Sequence, residues 1–270
     1  MLSLMRRYVH GFVNAHDPEV ARSIMSPDYR LHMGSDTLVG RDDQYIPAVL
    51  HQLGQFPGLG FSIHELITDG TMAALSFSEH GRSARPPHAG AVWRGVSIYR
   101  AEAGRLAECW VEQDHFGRRH QLASGKVEAV RPVAVDPWSS HLDPAEASRS
   151  AAESVLRGWL GAQTSWPPSG ARVDSGSSES VQPRIDIART SLNAFVVEGV
   201  RIAFNATIGG TYRGGLLPEG PTGVPVTTAI GAFATLVDKD LDDVDIISNR
   251  VLVQRQVRTA GEDVASTRTT

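Results

Sequence analysis

The stretch Leu106-Ala-Glu-Cys-Trp110-Val-Glu-Gln-Asp114-His-Phe-Gly-Arg-Arg-His-Gln-Leu122 lies over Leu241-Asp-Asp-Val-Asp-Ile-Ile-Ser-Asn249-Arg-Val-Leu-Val-Gln-Arg-Gln-Val257 without a gap. In that register Asp114 falls on Asn249, Gln121 on Gln256 and Leu122 on Val257. Further upstream, Gly95-Val-Ser-Ile-Tyr99 matches Gly231-Ala-Phe-Ala-Thr235. Ile67-Thr-Asp-Gly-Thr-Met-Ala-Ala-Leu75 matches Val196-Val-Glu-Gly-Val-Arg-Ile-Ala-Phe204. Self-similarity in a fixed order marks a duplicated architecture. The chain of 270 residues therefore divides into units at 1–125 and 126–258, with a flexible tail at 259–270. The second unit lacks counterparts of the first two helices.

Those helices begin at the N-terminus, where Leu4, Met5, Tyr8, Val9 and Phe12 have helical spacing within Leu2–Asn14. Asp17-Pro18 opens a second helix through Met25, and a third covers Arg41–Gln55. Tyr29–Met33 alternates as a strand does. Longer strand-like runs follow at Phe61–Thr68, Thr71–Glu79, Ala91–Arg100 and Arg105–Asp114, with turns at Asp69-Gly70 and Ala103-Gly104. Ala123–Ser150 is a connector in which Lys126–Val135 is a candidate strand for the second unit. A helix over Pro144–Gln163 and a loop over Val173–Pro183 come next. Strands are expected at Arg184–Val197, Val200–Ile208, Val226–Val237 and Val244–Val257. Helices followed by a meander of long strands describe an α+β fold. Each unit would be a curved antiparallel sheet with helices on its concave face.

Composition narrows the function. The formal charge of −4 gives no electrostatic reason to expect nucleic acid or an anionic membrane. A single cysteine, Cys109, rules out an internal disulfide framework. No run of 18 apolar residues occurs, and the N-terminus has no apolar h-region, so a soluble cytoplasmic protein is expected. All ten histidines lie between His10 and His141, which puts acid–base chemistry in the first half.

Strand parity then selects candidate groups. Leu106, Glu108, Trp110, Glu112 and Asp114 share one face of the last strand of the first unit. With Leu106 and Trp110 facing a pocket, Asp114 faces it too, as a desolvated acid–base carboxylate. Glu112 or Glu79 would assist. Glu79 continues the stripe of Ala73, Leu75 and Phe77, and Trp93 and Trp110 would shape the pocket. His115 leaves the face of Asp114, and Arg118 and Arg119 read as solvated charges. No metal site is expected, and no nucleotide loop or nucleophile elbow occurs, so no cofactor is implied.

Met5–Gly125 resembles the SnoaL-like polyketide cyclases of the nuclear transport factor 2-like superfamily. The matching features run in order: an N-terminal helix, Asp28-Tyr-Arg-Leu-His, Val39-Gly-Arg-Asp42, Gln55-Phe-Pro57, Asp69-Gly70, Trp93–Arg100, Gly104–Glu108, Trp110–Asp114 and Gln121-Leu122. The second unit shows Gly210-Thr-Tyr-Arg-Gly214, close to a turn of that family. The resemblance implies two cone-shaped folds, each with a deep apolar pocket, and puts the family's acid–base aspartate at Asp114. It also implies a pseudo-dimer within one chain, as monomer or homodimer. The implied activity is a cofactor-independent cyclase, dehydratase or isomerase acting on an apolar oxygenated molecule such as a polyketide intermediate. Polyether epoxide hydrolases of the superfamily suggest an alternative acid pair, Asp36 and Glu65. Isomerase-like members suggest Tyr8 as an oxyanion donor, although Met33 takes the place of their base. Asn249 cannot exchange a proton near neutrality, so the second unit is expected to be a scaffold or binding pocket. A non-catalytic binding or scaffold protein is the remaining alternative.

Overall fold

The computed structural model describes residues 1–139, 149–176, 181–218 and 220–267, with side chains to Glu262. Helix α1 (Leu2–Arg6) continues into a π-helical stretch (Arg7–Val13), and together they bury Met5, Tyr8, Val9, Phe12 and Val13. Asp17 caps α2 (Pro18–Ile24) by accepting the Glu19 N–H at 2.9 Å; Pro18 sits in the first turn, where no N–H is required. A π-helical turn (Arg41–Tyr45) leads into α3 (Ile46–Gln55). These helices cover one face of a sheet built from β1 (Met25–Met33), β2 (Asp36–Val39), β3 (Gly60–Thr68), β4 (Met72–Arg82), β5 (Gly90–Glu102) and β6 (Arg105–Gln113). The strand order is β2-β1-β6-β5-β4-β3, and α4 (His115–Ser124) follows β6.

The second unit starts with α5 (Arg149–Ala162) and the short strands β7 (Ser165–Trp166) and β8 (Arg172–Val173). Its long strands are β9 (Ile185–Glu198), β10 (Arg201–Tyr212), β11 (Pro225–Val237) and β12 (Asp240–Ser248), and α6 (Arg250–Thr267) closes it. The order β7-β9-β10-β11-β12-β8 places β9 to β12 as β3 to β6 are placed in the first sheet. Both sheets are mixed rather than antiparallel throughout, because β1 runs parallel to β6 and β8 parallel to β12.

The likeness of the two sheets extends to irregularities. In β3 the extra residue His64 stands between Ile63, opposite Phe77, and Glu65, opposite Ser76. In β9, Asn193 stands in the same way between Leu192, opposite Ala206, and Ala194, opposite Asn205. The glycine match made from sequence is one residue out. Gly95 pairs with Gln113, and the equivalent pair is Ile230 with Ser248, so Gly231 corresponds to Val96. The two glycines serve different needs: Gly95 leaves room for the Phe77 ring, whereas Gly231 leaves room for Val96 of the other unit.

Several expected elements differ. Val244–Val257 is not one strand, since β12 ends at Ser248 and Asn249 caps α6, its Oδ1 accepting the Leu252 N–H at 3.0 Å. Asp114 likewise ends β6 and caps α4, accepting the Gly117 N–H at 2.9 Å. Helix α6 runs through most of the stretch expected as a tail. Lys126–Val135 forms no strand and lies along the first unit, where the Ala134 N–H donates to the Ile63 carbonyl. The expected start of a helix at Pro144 falls outside the described residues, as does part of the Val173–Pro183 loop.

The sheets meet through Ile67, Met72, Val96 and Ile98 of one unit and Val196, Phe233 and Ile247 of the other. Ion pairs tie the junction: Glu65 with Arg201, Arg94 with Asp245 and Asp114 with Arg250. A Cβ at Gly231 would lie 2.8 Å from the Val96 Cβ, too close for a packed interior. Gly231→Val is therefore expected to destabilise the chain by about 1–3 kcal/mol, read as a lower urea midpoint. An unchanged midpoint would mean that the sheets do not meet at this register.

Candidate active site

The π-helical stretch Arg7–Val13 and helix α3 roof one face of the first sheet and line a cavity of about 350 Å³. Its walls include Leu31, Met33, Val49, Phe61 and Phe77, with Phe61 stacked on Phe77 at 4.4 Å. A mainly apolar cavity of this size with a few convergent polar groups is the usual form of a small-molecule site. Here the polar groups include a cluster of Gln52, Glu79, Gln113, His115 and Arg118 and the Tyr8–Tyr45 pair, with Asp36, His51 and Gln55 also on the wall. The two tyrosine hydroxyls stand 3.2 Å apart, and burial pushes both well above the usual phenol value, so both remain protonated.

Glu79 is 6% exposed and lies on β4, before His80, Gly81 and Arg82. Gln52 Nε2, reaching down from α3, donates to its Oε2 at 2.6 Å. Burial pushes the Glu79 carboxyl up to about 7; the charge of Arg118 and hydrogen bonds from Gln52, Trp93 and Gln113 act in the opposite direction. Gln113 Oε1 accepts both from Trp93 Nε1 and from His115 Nε2, each at 2.9 Å. That arrangement leaves His115 Nδ1 without a proton when the ring is neutral. Burial, reinforced by the charges of Arg118 and Arg119, lowers His115 to about 3 and keeps it neutral at pH 7. The site thus holds a carboxyl group poised between its two forms, beside a neutral imidazole and a guanidinium.

The groups from β6 that face the cavity are Cys109, Val111 and Gln113, opposite to the parity expected from Leu106 and Trp110. A bulge at Ala107 causes the reversal: Arg100 pairs with Glu108, but the next residue, Ala101, pairs with Leu106. Leu106 consequently enters the helix-covered core, whereas Trp110 lies on the other face beside the inter-unit core, its ring stacked on His32 at 5.4 Å.

Glu112 also faces the junction, accepting the Gly34 N–H at 2.8 Å and Asn249 Nδ2 at 2.9 Å; burial raises it to about 7. Asp114 does not line the cavity. It is 5% exposed and bound by Arg250 Nη2 of the second unit at 2.6 Å. Glu65 and Asp36 are not brought together either. The bulge at His64 turns Glu65 to the junction, where Arg201 holds it through two bonds of 2.6 and 2.8 Å. Asp36 sits exposed at the cavity mouth, 3.8 Å from Arg255. Tyr8, Met33, Phe77 and Glu79 do line the cavity, and Trp93 stands behind Gln113.

Sequence reasoning passed over Gln52, Gln113, His115 and Arg118. Recognising Asp114 as a helix cap would have found two of them, since His115 and Arg118 are three apart and share a helical face. Arg118 is no solvated charge: it is largely enclosed, over the Trp93 ring at 4.9 Å. In the second unit the places of Glu79, Gln113, His115 and Arg118 are taken by Ile208, Ser248, Arg250 and Val253. Ile208 and Val253 are buried in a core with Leu156, Leu160 and Phe204, so the polar cluster has no counterpart there. Among the described residues, no group of three or more His, Cys, Asp or Glu side chains is placed to hold a metal ion. No helix among them is long and apolar enough to cross a membrane.

The family model of the SnoaL-like domain matches residues 5–109. No functionally curated protein matches the chain. Similar solved structures include a protein from Jannaschia sp. CCS1 assigned as a SnoaL-like polyketide cyclase, 17% identical, with a TM-score of 0.42 over 46% of this chain and 91% of that one. Another is IdmH from Streptomyces antibioticus, assigned as a polyketide cyclase, 18% identical, with a TM-score of 0.41 over 45% and 96%. A third is an LEH-like epoxide hydrolase from M. tuberculosis, 12% identical, with a TM-score of 0.40 over 46% and 90%.

Proposed function

We propose that the chain is a tandem of two nuclear transport factor 2-like folds, the first matched by the SnoaL-like domain model over residues 5–109, and that it is an acid–base tailoring enzyme with one active site, the cavity around Glu79. The observation that carries this reading is a buried carboxyl group with a pKa near neutrality, held by Gln52 inside an apolar cavity. Such a group is matched to proton transfer at cellular pH. Glu79 as carboxylate removes a proton next to a carbonyl of an oxygenated, largely apolar molecule, and as carboxylic acid it returns the proton later. Ring closure of aldol type, dehydration and isomerisation all share this step. Phe61 and Phe77 hold the substrate skeleton, while the Tyr8–Tyr45 pair and Gln113 offer hydrogen bonds to its oxygens. The second unit serves as the scaffold that covers the outer face of the first sheet.

A substrate-independent test uses 5-nitrobenzisoxazole. A base takes its C3 proton as the ring N–O bond breaks, releasing a coloured cyanonitrophenolate. Only the carboxylate form of Glu79 performs this step. The expected profile of kcat/KM therefore rises as pH passes about 7 and then levels. The absence of any turnover above buffer between pH 5 and 9 would favour the non-catalytic binding reading instead.

A further inference from the structure

Arg118 is a charge of the cavity whose side chain has no ion-pair partner among the described residues. The interior arginines of the junction each meet a carboxylate: Arg94 meets Asp245, Arg201 meets Glu65 and Arg250 meets Asp114. Arg118 is largely enclosed and lines the cavity, but among the described residues its side chain forms no hydrogen bond or ion pair. Its guanidinium instead lies over the rings of Trp93, at 4.9 Å, and Phe56, at 5.5 Å. Glu79, the acid of the same cavity, is hydrogen-bonded by Gln52 and feels the charge of Arg118 without forming an ion pair with it. Stacking on two rings fixes the plane of the guanidinium and leaves its N–H edge available to a guest. A cation removed from water without a partner is costly, and a bound anion relieves that cost.

We infer that the cavity takes a substrate with an apolar skeleton and one carboxylate, and that Arg118 holds the carboxylate through its N–H edge. The inference rests on the assignment of this cavity as the substrate site, and it adds the charge of the substrate. Arg118 then acts as a specificity residue that orients the skeleton across Phe61 and Phe77 and sets the reacting carbon against Glu79. A carboxylate is the natural guest, because the guanidinium fork matches its two oxygens.

Calorimetric binding of 2-naphthoate and of the uncharged isostere 2-naphthamide tests this. The wild-type chain is expected to bind the acid at least tenfold more tightly than the amide. Arg118→Met, which keeps the packing on Trp93, removes the preference, and Arg118→Lys, which keeps the charge, retains part of it. Glu79→Gln is expected to bind the acid at least as tightly as wild type, so a failure of the proton-transfer reading leaves this result standing. Equal affinity for acid and amide in wild type, no binding of either at millimolar concentration, or an unchanged preference in Arg118→Met would each overturn the inference.

Discussion

Glu79→Gln is expected to lower the rate of proton abstraction from 5-nitrobenzisoxazole by about 10²- to 10⁴-fold, the range associated with a positioned general base. The substitution preserves shape and removes only the group that exchanges the proton. The same variant should be more stable than wild type above neutral pH. The folded-state value of Glu79 is raised from 4.5 to about 7, so between these values the folded chain holds more protons than the unfolded one. Stability therefore falls as pH rises through this window and remains lower above it. Removing the group lifts that cost, worth up to about 3 kcal/mol at pH 8 and nothing below pH 4. Urea midpoints of the two proteins at pH 4 and pH 8 check the sign. Lost activity together with raised alkaline stability identifies a carboxylate kept for chemistry at a cost to the fold. Lost activity with an equal drop in stability at both pH values would point to a packing role instead.

The largest effect on stability is expected from Arg250→Met. Arg250 is 1% exposed and lies between Asp114, at 2.6 Å, and Asp174, at 3.2 Å, with its guanidinium over the Phe116 ring at 4.7 Å. Methionine fills similar space without charge and leaves two neighbouring carboxylates buried without a cation. Burial already pushes Asp174 up, and the nearby charge of Asp114 adds to this; Arg250 is the main force in the other direction. Breaking a buried ion pair from one side typically costs 3–5 kcal/mol, so a loss of about that size is expected at pH 7. It should shrink in acid, where Asp174, already raised by burial, takes up a proton. Asp114→Asn is expected to be milder, since asparagine still caps α4 and one carboxylate remains for Arg250. Because Asp114 lies outside the cavity, that variant should turn over the probe at close to the wild-type rate whenever it is folded.

The contrast between Asp114 and Glu79 shows how far the sequence carries. The duplication, the long strands and the first three helices follow from periodicity, from Asp17-Pro18 and from the turn dipeptides. The strand and helix signals are local, and the structure keeps the elements they mark, apart from the run Val244–Val257, which breaks after Ser248. The site depends on which face of each strand looks inward, and two single-residue bulges decide that. Ala107 reverses the parity of β6, and His64 reverses that of β3. No residue in either stretch announces the extra position, so Trp110, Glu112 and Glu65 go to the junction while Gln113 goes to the cavity. On β4 the pattern of Ala73, Leu75, Phe77 and Glu79 runs without a bulge, and Glu79 lies where alternation places it. The helices after β6 and β12 were hidden for a different reason. Asp114 and Asn249 have side chains suited equally to a strand end, a turn or a cap. Only the absence of sheet partners beyond Gln113 and Ser248 selects the cap, and that depends on how long the neighbouring strands are.

The most direct measurement is a carbon-13 titration of the glutamate side-chain carboxyls by nuclear magnetic resonance, in wild type and in Glu79→Gln. Two carboxyls are expected to titrate near pH 7, those of Glu79 and Glu112. The variant should lose one of them, and the lost midpoint should coincide with that of the pH–rate profile for the probe. A wild-type spectrum in which the resonance lost in the variant titrates below pH 5.5 would contradict the assignment of Glu79 as the group that moves the proton.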